Sequence, residues 1–159
     1  MTIGERIENV RERIEKAASR AGRNPKEIRL MGVSKFHGQA EIEEAISAGL
    51  FLFGENRVQE ALVKFPAIKA APSSSVELHM IGSLQRNKAK QALLLFDGIQ
   101  SLDRDELICA LGNAAALNKN NPDGNSCRAY SRPAFKFIHG PFPLVACRRS
   151  RSPSWYDFG

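Results

Sequence analysis

A regular alternation of short apolar segments with amphipathic helices is the feature that most limits how this chain can fold. Apolar segments that suit buried strands recur near residues 30, 51, 78 and 99, with a helical pattern between each pair. This alternation predicts a parallel sheet with right-handed crossovers, because parallel neighbours need a long returning connection. A capping-box pattern at residues 2–5 begins one more helix before the first strand. We therefore predict an α/β fold of about four βα units preceded by an N-terminal helix.

Proline and glycine set the predicted ends of the helices. We expect one helix from about Arg57 to Lys64, with Pro66 opening a loop, because proline lacks the N–H that an α-helix needs in its interior. The other helices after the first strand are predicted over residues 40–48, 87–95 and 103–117.

The charge is distributed unevenly along the 159 residues. Residues 1–118 contain 16 Lys/Arg and 15 Asp/Glu, whereas residues 119–159 contain seven and two. This shift predicts a domain over 1–118 and a basic Pro/Arg/Ser-rich tail of uncertain structure over 119–159. Within the tail, residues 135–138 and 144–147 have the composition of strands but lie among prolines, and residues 147–154 are predicted to be a disordered basic end.

Neither membrane nor metal signals are present in the sequence. No apolar run approaches the roughly 20 residues of a spanning helix, and the first residues lack the layout of a signal peptide, so we expect a cytoplasmic protein. The spacing of Cys109, Cys127 and Cys147 favours neither a zinc site nor a disulfide framework.

Polar side chains occur where the predicted strands end. Lys35 follows the first strand, Asn56 the second, His79 lies within the third, and Asn87 belongs to the loop after it. The carboxyl ends of parallel strands meet at one rim, so these side chains are expected to converge there. An amine, an imidazole and two amides suit a ligand with a carbonyl group and a ring nitrogen or phosphate. Equally, spacing alone allows a solvated lysine and a core histidine.

Three segments carry a resemblance to a known family. Val33–Lys35, Phe53–Glu60 and His79–Lys88 resemble, in order and separation, motifs of the pyridoxal phosphate homeostasis proteins, which look like the N-terminal domain of alanine racemases. The resemblance covers about residues 3–118. It implies a TIM-type (β/α) barrel of PLP fold type III that binds pyridoxal 5′-phosphate (PLP) as a Schiff base on Lys35. It further implies that Asn56, His79 and Asn87 line or support the cofactor pocket.

The same resemblance implies a role for the protein. Members of the family take part in intracellular PLP (vitamin B6) homeostasis, without an established catalytic turnover. The implied partners are PLP itself and PLP-requiring apoenzymes, with no nucleic acid and no membrane, and the family implies a monomer.

The chain departs from the family after Asn118. The resemblance implies about four further βα units with the loops that hold the cofactor phosphate, and nothing in residues 119–159 resembles them. The barrel is therefore expected to be incomplete and PLP binding to be weakened. An open half barrel has two unpaired edges, so self-association is expected unless the tail or a second copy covers them.

Two other functions compete with cofactor binding. A PLP-dependent amino-acid racemase needs a second acid/base residue, usually a tyrosine, and the chain has only Tyr130 and Tyr156, both in the tail. A nucleic-acid binder would use the basic tail, where Trp155–Tyr156 is the sole aromatic pair available for base stacking.

Overall fold

A computed structural model defines residues 1–71 and 75–117 and the backbone of four later strands. The helices are α1 (Ile3–Arg20), α2 (Gln39–Ser47), α3 (Val58–Lys69), α4 (Ala89–Leu95) and α5 (Asp105–Leu117). The strands are β1 (Ile28–Val33), β2 (Leu52–Glu55), β3 (Glu77–Met80), β4 (Gly98–Ile99), β5 (Cys127–Tyr130), β6 (Phe135–Ile138), β7 (Leu144–Arg148) and β8 (Trp155–Phe158).

Contacts between Cα atoms divide the chain into two compact units. The first unit comprises Met1–Phe53 and Ala134–Arg151, and the second comprises Gly54–Pro133 and Ser152–Gly159. Strand β2 contributes residues to both units. The predicted boundary at Asn118 falls outside the described residues and stays a prediction.

In the first unit, helix α1 begins at the predicted capping box. Thr2 Oγ1 accepts a hydrogen bond from Glu5 N at 3.1 Å, and Glu5 Oε2 accepts one from Thr2 N at 2.7 Å. The apolar face of α1 is buried through Ile7 and Val10. A bond of 3.0 Å from Ile3 N to Glu44 Oε1 joins the start of α1 to α2. The predicted N-terminal helix is therefore confirmed.

The tail supplies the strand that pairs with β1 in the first unit. Strand β7 runs antiparallel to β1, with a register from Ile28 opposite Arg148 to Gly32 opposite Leu144, and β6 runs antiparallel to β7. Residues 135–138 and 144–147, which have the composition of strands, lie in strands β6 and β7. The prediction of disorder is wrong for residues 147–148, because the backbone of β1 gives them hydrogen-bond partners; residues 149–154 lie outside the described part of the chain.

The second unit contains the predicted parallel pairing. Strand β3 runs parallel to β4 and β4 runs parallel to β5, whereas β8 runs antiparallel to β5. Helices α3, α4 and α5 and strands β3 and β4 contribute the apolar side chains of this core. Its buried members include Ala61, Phe65, Leu78, Met80, Ala92, Ile99, Leu107 and Leu111.

Helix α3 extends beyond its predicted end. It runs from Val58 to Lys69 and contains Pro66, so the prediction of a loop at Pro66 is wrong. A proline removes one backbone hydrogen bond, but the apolar face of α3 continues past it through Phe65 and Ile68, which are both buried. Burial of that face offsets the lost bond, because tertiary packing contributes most of the stability of helices in proteins.

The carboxylate of Asp97 stabilises the connection from α4 to β4. Asp97 Oδ2 accepts hydrogen bonds from Lys69 Nζ at 2.6 Å and from Leu78 N at 2.7 Å, and Asp97 N donates to Leu78 O at 2.8 Å. This pairing holds the entry of β4 beside β3. Within the described residues, none of the helices has both the length and the apolar character that a bilayer crossing requires.

Candidate functional site

In the first unit, Lys35 lies just beyond the carboxyl end of β1. The strand ends at Val33, Ser34 is fully buried, and Lys35 is partly buried. A hydrogen bond of 3.1 Å from His37 N to Ser34 O closes a turn around the lysine. The predicted position of Lys35 at the end of the first strand is therefore confirmed.

The residue after Lys35 has an uncommon backbone conformation. Phe36 has a φ of 64°, in the left-handed region that residues with a side chain seldom adopt. Phe36 is 83% exposed, and the centroid of its ring lies 5.9 Å from Lys35 Nζ. The turn thus places an aromatic surface beside the amine, within the range of a cation–π contact.

Helix α2 begins directly after this turn. Glu41 Oε2 accepts a hydrogen bond of 2.9 Å from Gly38 N, and Glu41 Oε1 lies 3.6 Å from His37 Nδ1. Backbone N–H groups, first that of Glu41 itself and then that of Gly38, hold the pKa of the Glu41 carboxyl below its ordinary value, and His37 adds to this. The charged Glu41 therefore stabilises the start of α2 and the adjoining turn.

In the second unit, His79 is the centre of a buried polar cluster on β3. It is 3% exposed. Its Nε2 lies 2.7 Å from Glu77 Oε1, and its Nδ1 forms a hydrogen bond with the side-chain nitrogen of Gln100. Gln100 follows β4 directly and is also buried, with its backbone N–H donating to Met80 O at 2.8 Å. His79 is therefore as buried as a core histidine, and each of its ring nitrogens lies beside a polar side chain.

The two asparagines that were predicted to line or support the cofactor pocket lie on the surface of the second unit. Asn56 follows β2 directly and is exposed, and Asn87 is exposed within a 3₁₀ turn over Arg86–Lys88. Lys35 belongs to the first unit and the other three residues to the second. The convergence of Lys35, Asn56, His79 and Asn87 on one ligand stays a prediction.

Glu55, at the end of β2, has a structural partner. Its side chain is fully buried and its Oε1 accepts a hydrogen bond of 3.0 Å from Lys64 Nζ on α3. Lys64 Nζ also lies 3.5 Å from Glu60 Oε2. The pair anchors helix α3 to the strand end that precedes Asn56.

Gly82 allows a close approach of two backbones beside Asn56. A Cβ at position 82 would lie 2.7 Å from Asn56 Cα and 2.9 Å from its carbonyl carbon, and neither atom can turn away. Two hydrogen bonds fix this junction: Ile81 N donates to Glu55 O at 2.9 Å, and Ser101 Oγ donates to Gly82 O. The ends of β2, β3 and β4 in the second unit are thereby held together.

We expect Gly82→Ala to destabilise the protein by about 1–3 kcal/mol, because the added methyl group must displace main-chain atoms. Urea unfolding followed by circular dichroism measures this change. Gly4→Ala is the matched control, since a Cβ there meets Ala48 Cβ at an ordinary 3.6 Å within a helix. Equal stability of the Gly82→Ala variant and the wild type would contradict the close approach.

One cavity of the first unit lies away from these residues. It has a volume of about 360 Å³ and adjoins the amino end of β1 at Ile28 and the start of β2 at Leu52. Arg11 and Glu15 of α1 contribute to its wall. Lys35 follows the opposite end of β1, so this cavity is separate from the candidate site.

Glu77, Gly98 and Gln100 were not predicted as site residues. The strand-end rule that selected Lys35 and Asn56 also applies to Gln100, which follows β4, so this residue could have been found. Glu77 and Gly98 become recognisable only through the register of β3 against β4, which places His79 opposite Gly98.

Comparison of the sequence with protein-family models finds no match. Curated relatives nevertheless match most of the chain. The pyridoxal phosphate homeostasis protein of Escherichia coli K12 is 39% identical over 120 residues, which is 76% of this chain and 49% of that protein. The protein of the same name from Aquifex aeolicus is 44% identical over 118 residues, which is 74% of this chain and 50% of that protein.

Solved structures give the same result. PipY from Synechococcus elongatus PCC7942, determined with PLP bound, is 40% identical with a TM-score of 0.55, covering 65% of this chain and 48% of PipY. An unknown protein from Bifidobacterium adolescentis is 31% identical with a TM-score of 0.68, covering 73% of this chain and 50% of that one.

The alternating βα units and the lysine at a strand end define an α/β protein of the TIM-type barrel class, represented in part by this chain. Over the matched residues the chain belongs to the pyridoxal phosphate homeostasis protein family, as its three motifs predicted. It spans about half the length of the curated relatives that it matches.

Proposed function

We propose that this chain binds PLP covalently through Lys35 and takes part in intracellular PLP homeostasis. The position of Lys35 carries the proposal. Its amine is partly buried just after β1, in a chain that matches the pyridoxal phosphate homeostasis proteins. The chemistry that PLP supplies is that of an aldehyde, which a primary amine attacks with loss of water. Attack requires the amine in its neutral form.

The described residues fit such a ligand in two respects. The turn after β1 presents Lys35 beside an exposed aromatic ring, which offers a face for a planar heterocycle. In the second unit, His79 and Gln100 provide buried polar groups of the kind that orient a ligand inside a mostly apolar fold. We propose that Asn56, His79 and Asn87 support binding, with Lys35 as the covalent attachment.

The proposal extends to location and partners. We infer a cytoplasmic protein that exchanges PLP with PLP-requiring apoenzymes. We further infer a monomer, as the resemblance to the family implies.

Chemical trapping tests the covalent attachment. The purified protein is incubated with PLP, reduced with borohydride, digested, and analysed by mass spectrometry. We expect the reduced phosphopyridoxyl group on the peptide that contains Lys35. Lys16 and Lys90 are exposed and serve as internal controls for non-specific labelling. Absence of the adduct, or equal labelling of the three lysines, would show that Lys35 does not hold the cofactor.

A further inference from the structure

The imidazole of His79 is held at both of its nitrogens. Nε2 lies 2.7 Å from Glu77 Oε1, and Nδ1 forms a hydrogen bond with Gln100 Nε2. The side chain of Glu77 is 31% exposed, whereas Gln100 is only 4% exposed. The pair on Nδ1 is therefore the one shielded from water.

Strand β4 also fixes the plane of the imidazole. Gly98 lies opposite His79 in the parallel register, and a Cβ at position 98 would lie 2.8 Å from His79 Nε2 and 2.9 Å from Cδ2. The ring thus rests against the backbone of Gly98. With a strand beneath the ring and a partner at each nitrogen, rotation of the side chain is restricted.

These partners select one protonation form of His79. A carboxylate only accepts hydrogen bonds, so Nε2 carries a proton and donates to Glu77. The side-chain nitrogen of Gln100 only donates, so Nδ1 is the unprotonated acceptor. The imidazole accordingly donates from Nε2 and accepts at Nδ1. This orientation leaves Gln100 Oε1 buried, and within the described residues it has no hydrogen-bond partner.

We propose that Gln100 is a positioning residue that keeps Nδ1 of His79 as an acceptor and the proton on Nε2, and that it presents its own buried carbonyl oxygen to a donor group of the bound ligand. A buried carbonyl without a partner costs free energy, and an N–H or O–H of a ligand would satisfy it. The second part of the proposal rests on the proposed function, with PLP as the ligand. The first part concerns the ligand-free protein alone.

The nitrogen shifts of His79 test the first part without any ligand. In long-range ¹H–¹⁵N spectra of the wild type, we expect a protonated Nε2 and an unprotonated Nδ1. In Gln100→Leu, the form protonated at Nδ1 should become populated, because the donor that opposes it has been removed. Gln85→Leu, at an exposed glutamine, should give the wild-type spectrum. A protonated Nδ1 in the wild type, or no change in Gln100→Leu, would overturn the positioning role.

Titration with PLP tests the second part. Loss of one buried hydrogen bond predicts about a tenfold weaker affinity for Gln100→Leu, with Gln85→Leu unchanged. Equal affinity of Gln100→Leu and the wild type would overturn the acceptor role. Absence of PLP binding by the wild type would instead refute the proposed function. The nitrogen shifts would still decide the positioning role, so the two failures are distinguishable.

Discussion

Lys35→Ala is expected to abolish covalent PLP binding. Alanine has no amine to attack the aldehyde, so the absorbance band of the imine should be absent from the variant at every PLP concentration. Because residual contacts alone would hold the ligand, we expect the apparent affinity to fall by at least a hundredfold, which corresponds to about 2.7 kcal/mol. Absorbance and fluorescence titrations measure this loss. The fold should be unaffected, since Lys35 lies in a loop after β1.

Lys16→Ala is the matched control for this substitution. Lys16 is an exposed residue of α1 whose ammonium group lies 3.3 Å from Glu12 Oε2. Removing it changes the net charge by the same amount but should leave PLP binding unchanged. Retention of lysine-dependent absorbance in Lys35→Ala would show that another amine is the attachment point. Tight binding by the wild type would contradict the weakened affinity expected from the unmatched tail.

Lys64→Met is expected to destabilise the protein by about 3–5 kcal/mol, because it removes one member of a buried, hydrogen-bonded charge pair. The Glu55 side chain is fully buried and that of Lys64 is 14% exposed, so water cannot replace the lost partner. Methionine retains the apolar stem of the lysine, and the effect therefore reports on charge rather than on packing. Urea unfolding monitored by circular dichroism gives the change in free energy.

A double substitution tests how much of the lost stability comes from breaking the ion pair between Lys64 and Glu55. Glu55→Leu combined with Lys64→Met removes both charges and should recover most of the stability lost in Lys64→Met, because a buried ion pair can often be replaced by apolar residues. Lys90→Met, at an exposed lysine of α4, should change stability by no more than about 0.5 kcal/mol. A Lys64→Met variant as stable as this control would show that the contact between Lys64 and Glu55 does not contribute to stability.

The sequence alone predicted the helices and strands whose signals are local. The period of apolar residues and the capping box at Thr2 determine α1, and the apolar segment before Ser34 determines β1. Lys35 could be selected because it follows that strand and because three motifs matched one family. These features depend on residues close together in the chain, and periodicity and capping report such interactions directly.

Tertiary structure decided what depends on pairing between distant segments. Helix α3 continues through Pro66 because Phe65 and Ile68 are buried, which local propensity cannot predict. The contacts of the His79 ring depend on the register that places it opposite Gly98. They also depend on Gln100, which follows the adjacent strand. A shift of one residue would turn each strand residue to the other face, so the polar cluster exists only in this register. The backbone of β1 likewise determined that β7 continues to Arg148, because its hydrogen-bonding edge supplies partners that the composition of the tail does not reveal.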